Sequence, residues 1–297
     1  MNFSLQPLSR ERYRLAENIL WDEAKQILWW TDIEDARLWC ADPVTGSTQH
    51  WVLPQRLGNF ALTTEPDVLL LGLERQLARF DTRSGQLDLL DEVEPELPQT
   101  IINDGRCDRH GNFVFSTKDQ TLQEAICSFY RYTREGELQR LDLPKAVVSN
   151  SICFSPDGRT MYFADSFARC IMACDYDGLS GEVSGVRVFA RTDDAGVAFP
   201  DGATVDAEGY VWSAQWDGAR VVRYAPDGHV DLVLPLPVGR PTCPTFAGPS
   251  LEDLCIATAH FGMDEGMRAA EPLAGAIFYG RAPRGRGVPE ARYGAVW

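Results

Sequence analysis

The stretch Phe154-Ser155-Pro156-Asp157-Gly158-Arg159-Thr160-Met161-Tyr162-Phe163 decides the fold. Proline presets φ for a turn, glycine accepts the left-handed backbone, and β-favouring residues flank both, so the stretch reads as a β-hairpin. The same pattern recurs at Trp21–Trp30, Thr63–Leu71, Cys107–Phe115, Val205–Trp212 and Phe246–Ile256. Taking the first residue of each as a marker, consecutive units lie 42, 44, 47, 51 and 41 residues apart. Further strand pairs fill the gaps, such as Ser128 to Tyr132 with Leu138 to Leu143, and Val221 to Tyr224 with Val230 to Leu234. Four short strands in each period of roughly 40–50 residues is the spacing of propeller blades. The expected fold is therefore all-β, a six-bladed β-propeller, with 1–297 as a single domain. A strand at Ala276 to Gly280 is expected to share the last blade with an N-terminal strand and close the ring.

Composition narrows the function. Against 28 Lys+Arg stand 43 Asp+Glu, a formal charge of −15. So acidic a chain is a poor partner for a phosphate backbone or an anionic membrane surface, so neither nucleic acid nor membrane is expected. The longest apolar run, Val68 to Leu73, falls far short of the roughly 20 residues of a membrane helix. Met1-Asn2-Phe3-Ser4-Leu5-Gln6-Pro7 has neither a basic start nor an apolar run, which points to a cytoplasmic protein. Cys40, Cys107, Cys153 and Cys255 sit in apolar strand-like runs and are expected as buried thiols. Cys170 and Cys174 have no second Cys or His pair nearby to complete a zinc site. Serine-hydrolase elbow, phosphate-loop, dinucleotide and His-Glu-x-x-His motifs are missing from the sequence. Oligomeric state is not legible.

Four residues before each marker stands a polar residue: Glu17, Asn59, Asn103, Asn150, Asp201 and Thr242. The first strand of a propeller blade lines the central channel, so these positions form a ring at one mouth. Polar residues there can simply hydrate a channel, but two carboxylates and three carboxamides make an oxygen-rich cage suited to a hard divalent cation. Each hairpin returns antiparallel, which brings Thr117 and Lys118 toward Asn103, Gln215 and Trp216 toward Asp201, Asp165 toward Asn150 and Asp32 toward Glu17. Lys118 is a cation in an acidic protein, suited to holding a carboxylate or polarising a carbonyl, or equally to capping a surface loop. His260 and Phe261 follow the sixth hairpin and are candidates to line the pocket.

Four ordered blocks resemble the SMP-30/gluconolactonase/regucalcin family. Leu15-Ala16-Glu17-Asn18-Ile19-Leu20-Trp21-Asp22 is similar to its opening Leu-Gly-Glu-Gly-Pro-x-Trp-Asp. Asn103-Asp104-Gly105 with Asp108 and Gly111, Asn150-Ser151 with Ser155-Pro156-Asp157-Gly158, and Pro200-Asp201-Gly202 match the other three. The resemblance implies one divalent metal ion held by Glu17, Asn150 and Asp201, with Asn103 contacting substrate or a metal-bound water. The departures are Asn18-Ile19 in place of Gly-Pro, and Ile101 where lactonases of the family commonly carry Arg.

The activity expected is hydrolysis of a sugar lactone, neutral (an aldonolactone) or carboxylated (an aldarolactone). The metal (Ca, Zn, Mn or Mg) polarises the carbonyl and Asp201 serves as ligand and general base. Asn103, Asn59 and Thr117 orient the ring, Trp216 flanks it, and Lys118 meets any substrate carboxylate. The competing expectation is a propeller that binds calcium or another ligand without catalysis.

Overall fold

The computed structural model describes residues 5–192 and 198–295, so Met1–Ser4 of the leader reading lie outside the described residues. Six four-stranded antiparallel sheets follow one another along the chain. Blade 1 is Ala16–Asp22, Ile27–Asp32, Arg37–Ala41 and Thr48–Val52. Blade 2 is Leu57–Leu62, Val68–Leu73, Gln76–Asp81 and Leu87–Glu92. Blade 3 is Thr100–Cys107, Phe113–Asp119, Phe129–Tyr132 and Leu138–Arg140. Blade 4 is Ser149–Phe154, Thr160–Asp165, Cys170–Tyr176 and Val183–Arg191. Blade 5 is Phe199–Val205, Val211–Trp216, Arg220–Tyr224 and Val230–Pro235. Blade 6 combines Pro241–Ala247, Asp253–Thr258 and Phe278–Arg281 with the N-terminal Gln6–Pro7. Gln6 pairs with Tyr279 and Pro7 with Phe278, which closes the propeller as the sequence led us to expect.

The burial gradient explains the strand order. Inner strands such as Leu57–Leu62 and Ser149–Phe154 are buried along their whole length, whereas outer strands such as Thr48–Val52 and Leu87–Glu92 are largely exposed. Core packing lies between neighbouring blades. Trp21, Leu28 and Trp30 of blade 1, for example, meet Cys243, Ala247 and Cys255 of blade 6. Seven of the eight cysteines are buried free thiols, and Cys170 is half-buried. Among the described residues no helix is long and apolar enough to cross a membrane.

Beyond Arg281 the chain forms a strap across the hairpin-turn end of the channel, a feature without a sequence signal. Gly287 N–H donates to Leu251 O, Ala207 N–H donates to Arg286 O, and Tyr293 pairs with Thr63. At its centre Arg106 makes a two-pronged ion pair with Glu290, at 2.9 and 2.8 Å, and donates to Ala203 O at 2.8 Å. The strap covers that end, so the open mouth is the opposite one, where the inner strands begin.

Candidate functional site

A repeated irregularity builds the site. Every inner hairpin slips register beside its ring position: between Glu17 and Leu20, Leu57 and Asn59, Ile102 and Gly105, Asn150 and Cys153, Pro200 and Ala203, and Pro241 and Cys243. Such bulges bend a strand and re-aim its side chains. Two of them need a left-handed residue, Asn18 at φ 46° and Ser151 at φ 61°. Asparagine tolerates that region because its short amide bonds locally. Asn18 Nδ2 donates to Gly105 O and its Oδ1 accepts from Phe60 N–H, both at 2.9 Å, so the departure at Asn18 ties blades 1, 2 and 3 together. Ser151 Oγ donates to Asp201 O at 2.5 Å and fixes the neighbouring ring position.

The bulges open onto a cavity of about 210 Å³. Glu17, Asn103, Lys118, Asn150, Ser166 and Asp201 supply its polar lining. Asn103 Nδ2 donates to Ser149 O at 2.9 Å and to Asn150 Oδ1 at 3.2 Å, which leaves Asn103 Oδ1 as an acceptor toward the cavity. Asn150 Nδ2 donates to Ser166 Oγ at 3.0 Å, and that hydroxyl donates to Pro200 O at 2.8 Å. The relay through Ser166 sets which end of the Asn150 amide is oxygen. The walls are aromatic and aliphatic, and arginines brace three of the rings. Arg169 lies 4.8 Å from the centre of Phe199, Arg240 5.1 Å from Trp216, and Arg14 5.7 Å from Phe261.

Electrostatically the floor is a buried pair of acids, Glu17 and Asp201, in hydrogen-bonding contact with each other and only partly offset by the charge of Lys118. Burial first, then the charge of Asp104, pushes Glu17 up to about 8. Burial and the charges of Glu17 and Asp104 hold Asp201 well above the usual carboxylate range. Asp104, whose carboxylate accepts from Ile152 N–H at 2.7 Å, is itself raised to about 6 by burial. Lys118 is pulled down by burial against the opposing pull of Glu34, Glu17 and Asp201. Among the described residues neither Glu17 nor Asp201 has a cationic side chain within 4 Å. Two buried acids without a direct ion pair, together with an amide oxygen held in place, suit a hard divalent cation. Among the described residues no three His, Cys, Asp or Glu side chains converge, so the amide of Asn150 is needed to complete such a set.

The other expected residues are distributed unevenly. Trp216 and Phe261 line the cavity. Thr117 does not: alternation along the strand turns it away from the side that Lys118 faces. Its hydroxyl instead accepts from Ser128 N–H at 3.1 Å and lies 3.3 Å from Glu94 Oε1. Asn59 is also displaced. It is fully buried between Gly72 and Gly105, where an added Cβ would stand 2.2 and 2.5 Å from its amide atoms. Thr242 donates to Ala16 O across the blade boundary, and Asp32 accepts from the N–H groups of Arg14 and Leu15, so both are structural. Gln215 is buried beside Ser213, and His260 lies outside the lining. Ile101 is the direct cross-strand partner of Lys118, so the site's cation enters from the strand opposite the position where the family commonly carries Arg. Ser166 and Asp104 were not anticipated. Ser166 sits on a single 3₁₀ turn, Ser166–Ala168, which no periodicity announces.

Fold and site together define a six-bladed propeller with one oxygen-lined axial pocket. The profile described as SMP-30/Gluconolactonase/LRE-like region matches residues 15–260, and the chain belongs to that family. It is 44% identical to an L-arabinolactonase of Azospirillum brasilense, over 96% of this chain and 94% of that protein. It is 32% identical to a 6-deoxy-6-sulfogluconolactonase of Pseudomonas putida, over 94% of each. Among solved structures, a calcium-binding protein, regucalcin, from Agrobacterium tumefaciens superposes with a TM-score of 0.91 at 30% identity, over 98% of this chain and 97% of that one.

Proposed function

We propose that the chain hydrolyses a sugar lactone to its open-chain acid in the axial cavity, with one divalent cation held by Glu17, Asn150 and Asp201. The observation that carries this reading is the convergence of two buried carboxylates, two amides held in one orientation and one ammonium on a single cavity. Relatives named for lactone hydrolysis support it. When bound, the cation supplies Lewis acidity toward a carbonyl oxygen. Asp201, which lines the cavity beside Glu17, takes the proton of the attacking water. Asn103 Oδ1 accepts from a ring hydroxyl or from that water and so fixes the approach. Attack forms a new C–O bond at the carbonyl, the ring ester C–O bond breaks, and a hydroxy acid leaves.

Lys118 bears on substrate charge. It lines the cavity, and among the described residues no acid lies within 4 Å of it, so it is available to a substrate carboxylate. A neutral aldonolactone needs no such partner. The second reading, a calcium- or ligand-binding propeller without turnover, draws support from the calcium-binding structural relative. One experiment separates the two. After dialysis against chelator, Zn²⁺, Mn²⁺, Mg²⁺ or Ca²⁺ is returned and acid release is followed over a panel of neutral and carboxylated lactones. Restored acid release supports hydrolysis. Silence across the whole panel with every metal leaves the binding reading.

A further inference from the structure

The polar groups are only part of the cavity lining. Leu15, Ile33, Val148, Phe199 and Trp216 make much of the remaining lining, and of these only Trp216, through its indole N–H, carries a hydrogen-bonding side-chain group. The lip is more telling. Leu122, Phe167 and Phe261 all line the cavity, yet they are 50%, 47% and 37% exposed. Large apolar side chains cost free energy when held in water, and three converging on one opening mark a contact surface for an apolar ligand. They come from three separate blades, and Leu122 is held outward on a left-handed backbone at φ 57°. Its loop is anchored beneath by Asp119, whose carboxylate accepts from the N–H groups of Thr121, Gln123 and Glu124. Phe167 packs against Phe199, ring centres 5.7 Å apart, which joins the lip to the wall at that point. Hydroxyls laid against the side chains of Leu122, Phe167 and Phe261 themselves would give up water without gaining a partner from them, at a cost for each.

We propose that the same cavity hydrolyses lactones whose ring carries an apolar substituent, an alkyl or aryl group, with that substituent seated against Leu122, Phe167 and Phe261. This rests on the lactonase reading of the floor and extends it to a second substrate class. The step is unchanged: water adds to the ring carbonyl, the acyl–oxygen bond of the ring breaks, the ring oxygen leaves as a hydroxyl, and a hydroxycarboxylate and one proton are released.

The test is a homologous series, γ-butyrolactone bearing hydrogen, methyl, ethyl, propyl or butyl at the ring carbon next to oxygen, assayed on the metal-loaded protein by acid release beside a sugar lactone. Each methylene buried against the lip should raise kcat/KM about fourfold. The gain should appear in KM with kcat nearly constant, because the substituent binds equally in ground and transition states. Leu122→Asn, which suits the left-handed backbone, and Phe167→Ser should each flatten the slope. Val188→Ser, on the exposed outer strand of blade 4, should leave it intact. The slope is taken within one protein preparation, so partial loss of folded enzyme does not alter it. A flat or falling slope in the unaltered protein that still turns over the sugar lactone overturns the proposal alone. A rising slope that survives both lip variants also overturns it. No turnover of any lactone overturns this proposal and the lactonase reading together.

Discussion

Stripped of divalent cations, the protein should lose stability as pH rises from about 5 to 8. The cause is the acid floor of the cavity. Glu17 has an ordinary pKa of 4.5 and is pushed to about 8 in the folded chain, and Asp104 is pushed from 3.8 to about 6. For an acid with a raised folded pKa, both states hold the proton below the unfolded value and nothing is lost. Above it the unfolded chain has released the proton while the folded chain keeps it, so unfolding becomes progressively easier. The slope is about 1.4 kcal/mol per pH unit for each proton so held. Glu17 and Asp104 act together up to about pH 6, Glu17 continues to about pH 8, and Asp201, also held well above the usual carboxylate range, adds to the slope. Turn carboxylates such as Asp42, Asp81 and Asp177 have lowered pKa values, so they are ionised in both states before this window begins and add no slope. The assay is urea unfolding in chelator at pH 5, 6.5 and 8, repeated with Glu17→Gln. The variant should lose about one proton's worth of slope between pH 6 and 8 and gain stability at pH 8. Stability that is flat or rising across the window in the unaltered protein, or a variant with the full slope, refutes the argument from the buried carboxylates.

Two further substitutions separate the roles around the floor. Ser166→Ala removes the hydroxyl that accepts from Asn150 Nδ2 and donates to Pro200 O, so activity or metal affinity should fall about 10- to 100-fold with the fold retained. Metal titration by calorimetry and lactone kinetics check both halves. Lys118→Met should raise KM for a carboxylated lactone and leave a neutral one unaffected; equal changes for both would reject an anion-binding role.

The propeller was legible because its evidence is redundant. Hairpins such as Ser155-Pro156-Asp157-Gly158 and Asp206-Ala207-Glu208-Gly209 carry their own turn chemistry, and their spacing repeats. Ring positions were legible for the same reason, since equivalent strands start at equivalent places. What each side chain does on arrival was harder to read. A strand alternates faces at every residue, so Thr117 and Lys118 could not be told apart without knowing the register, and a one-residue choice sends one to the cavity and the other toward Glu94. Asn59 carries the ring signature, but the glycines at 72 and 105 leave a slot that takes its amide out of the channel, and those neighbours lie far off in sequence. Asn18 looked like a loss of the family glycine and turns out to keep its backbone geometry while adding two hydrogen bonds. The C-terminal strap has no period and no motif; it is held by scattered backbone contacts and by Arg106 with Glu290.

The most direct measurement of the central claim is acid release from a neutral aldonolactone by metal-loaded protein, compared with Asp201→Asn under the same conditions. A circular dichroism melt on each sample checks the fold. The account predicts rapid acid release by the unaltered chain and its abolition in the variant, with a cooperative melt retained, since the substitution keeps the shape of the side chain. Full turnover by a folded Asp201→Asn protein would contradict it.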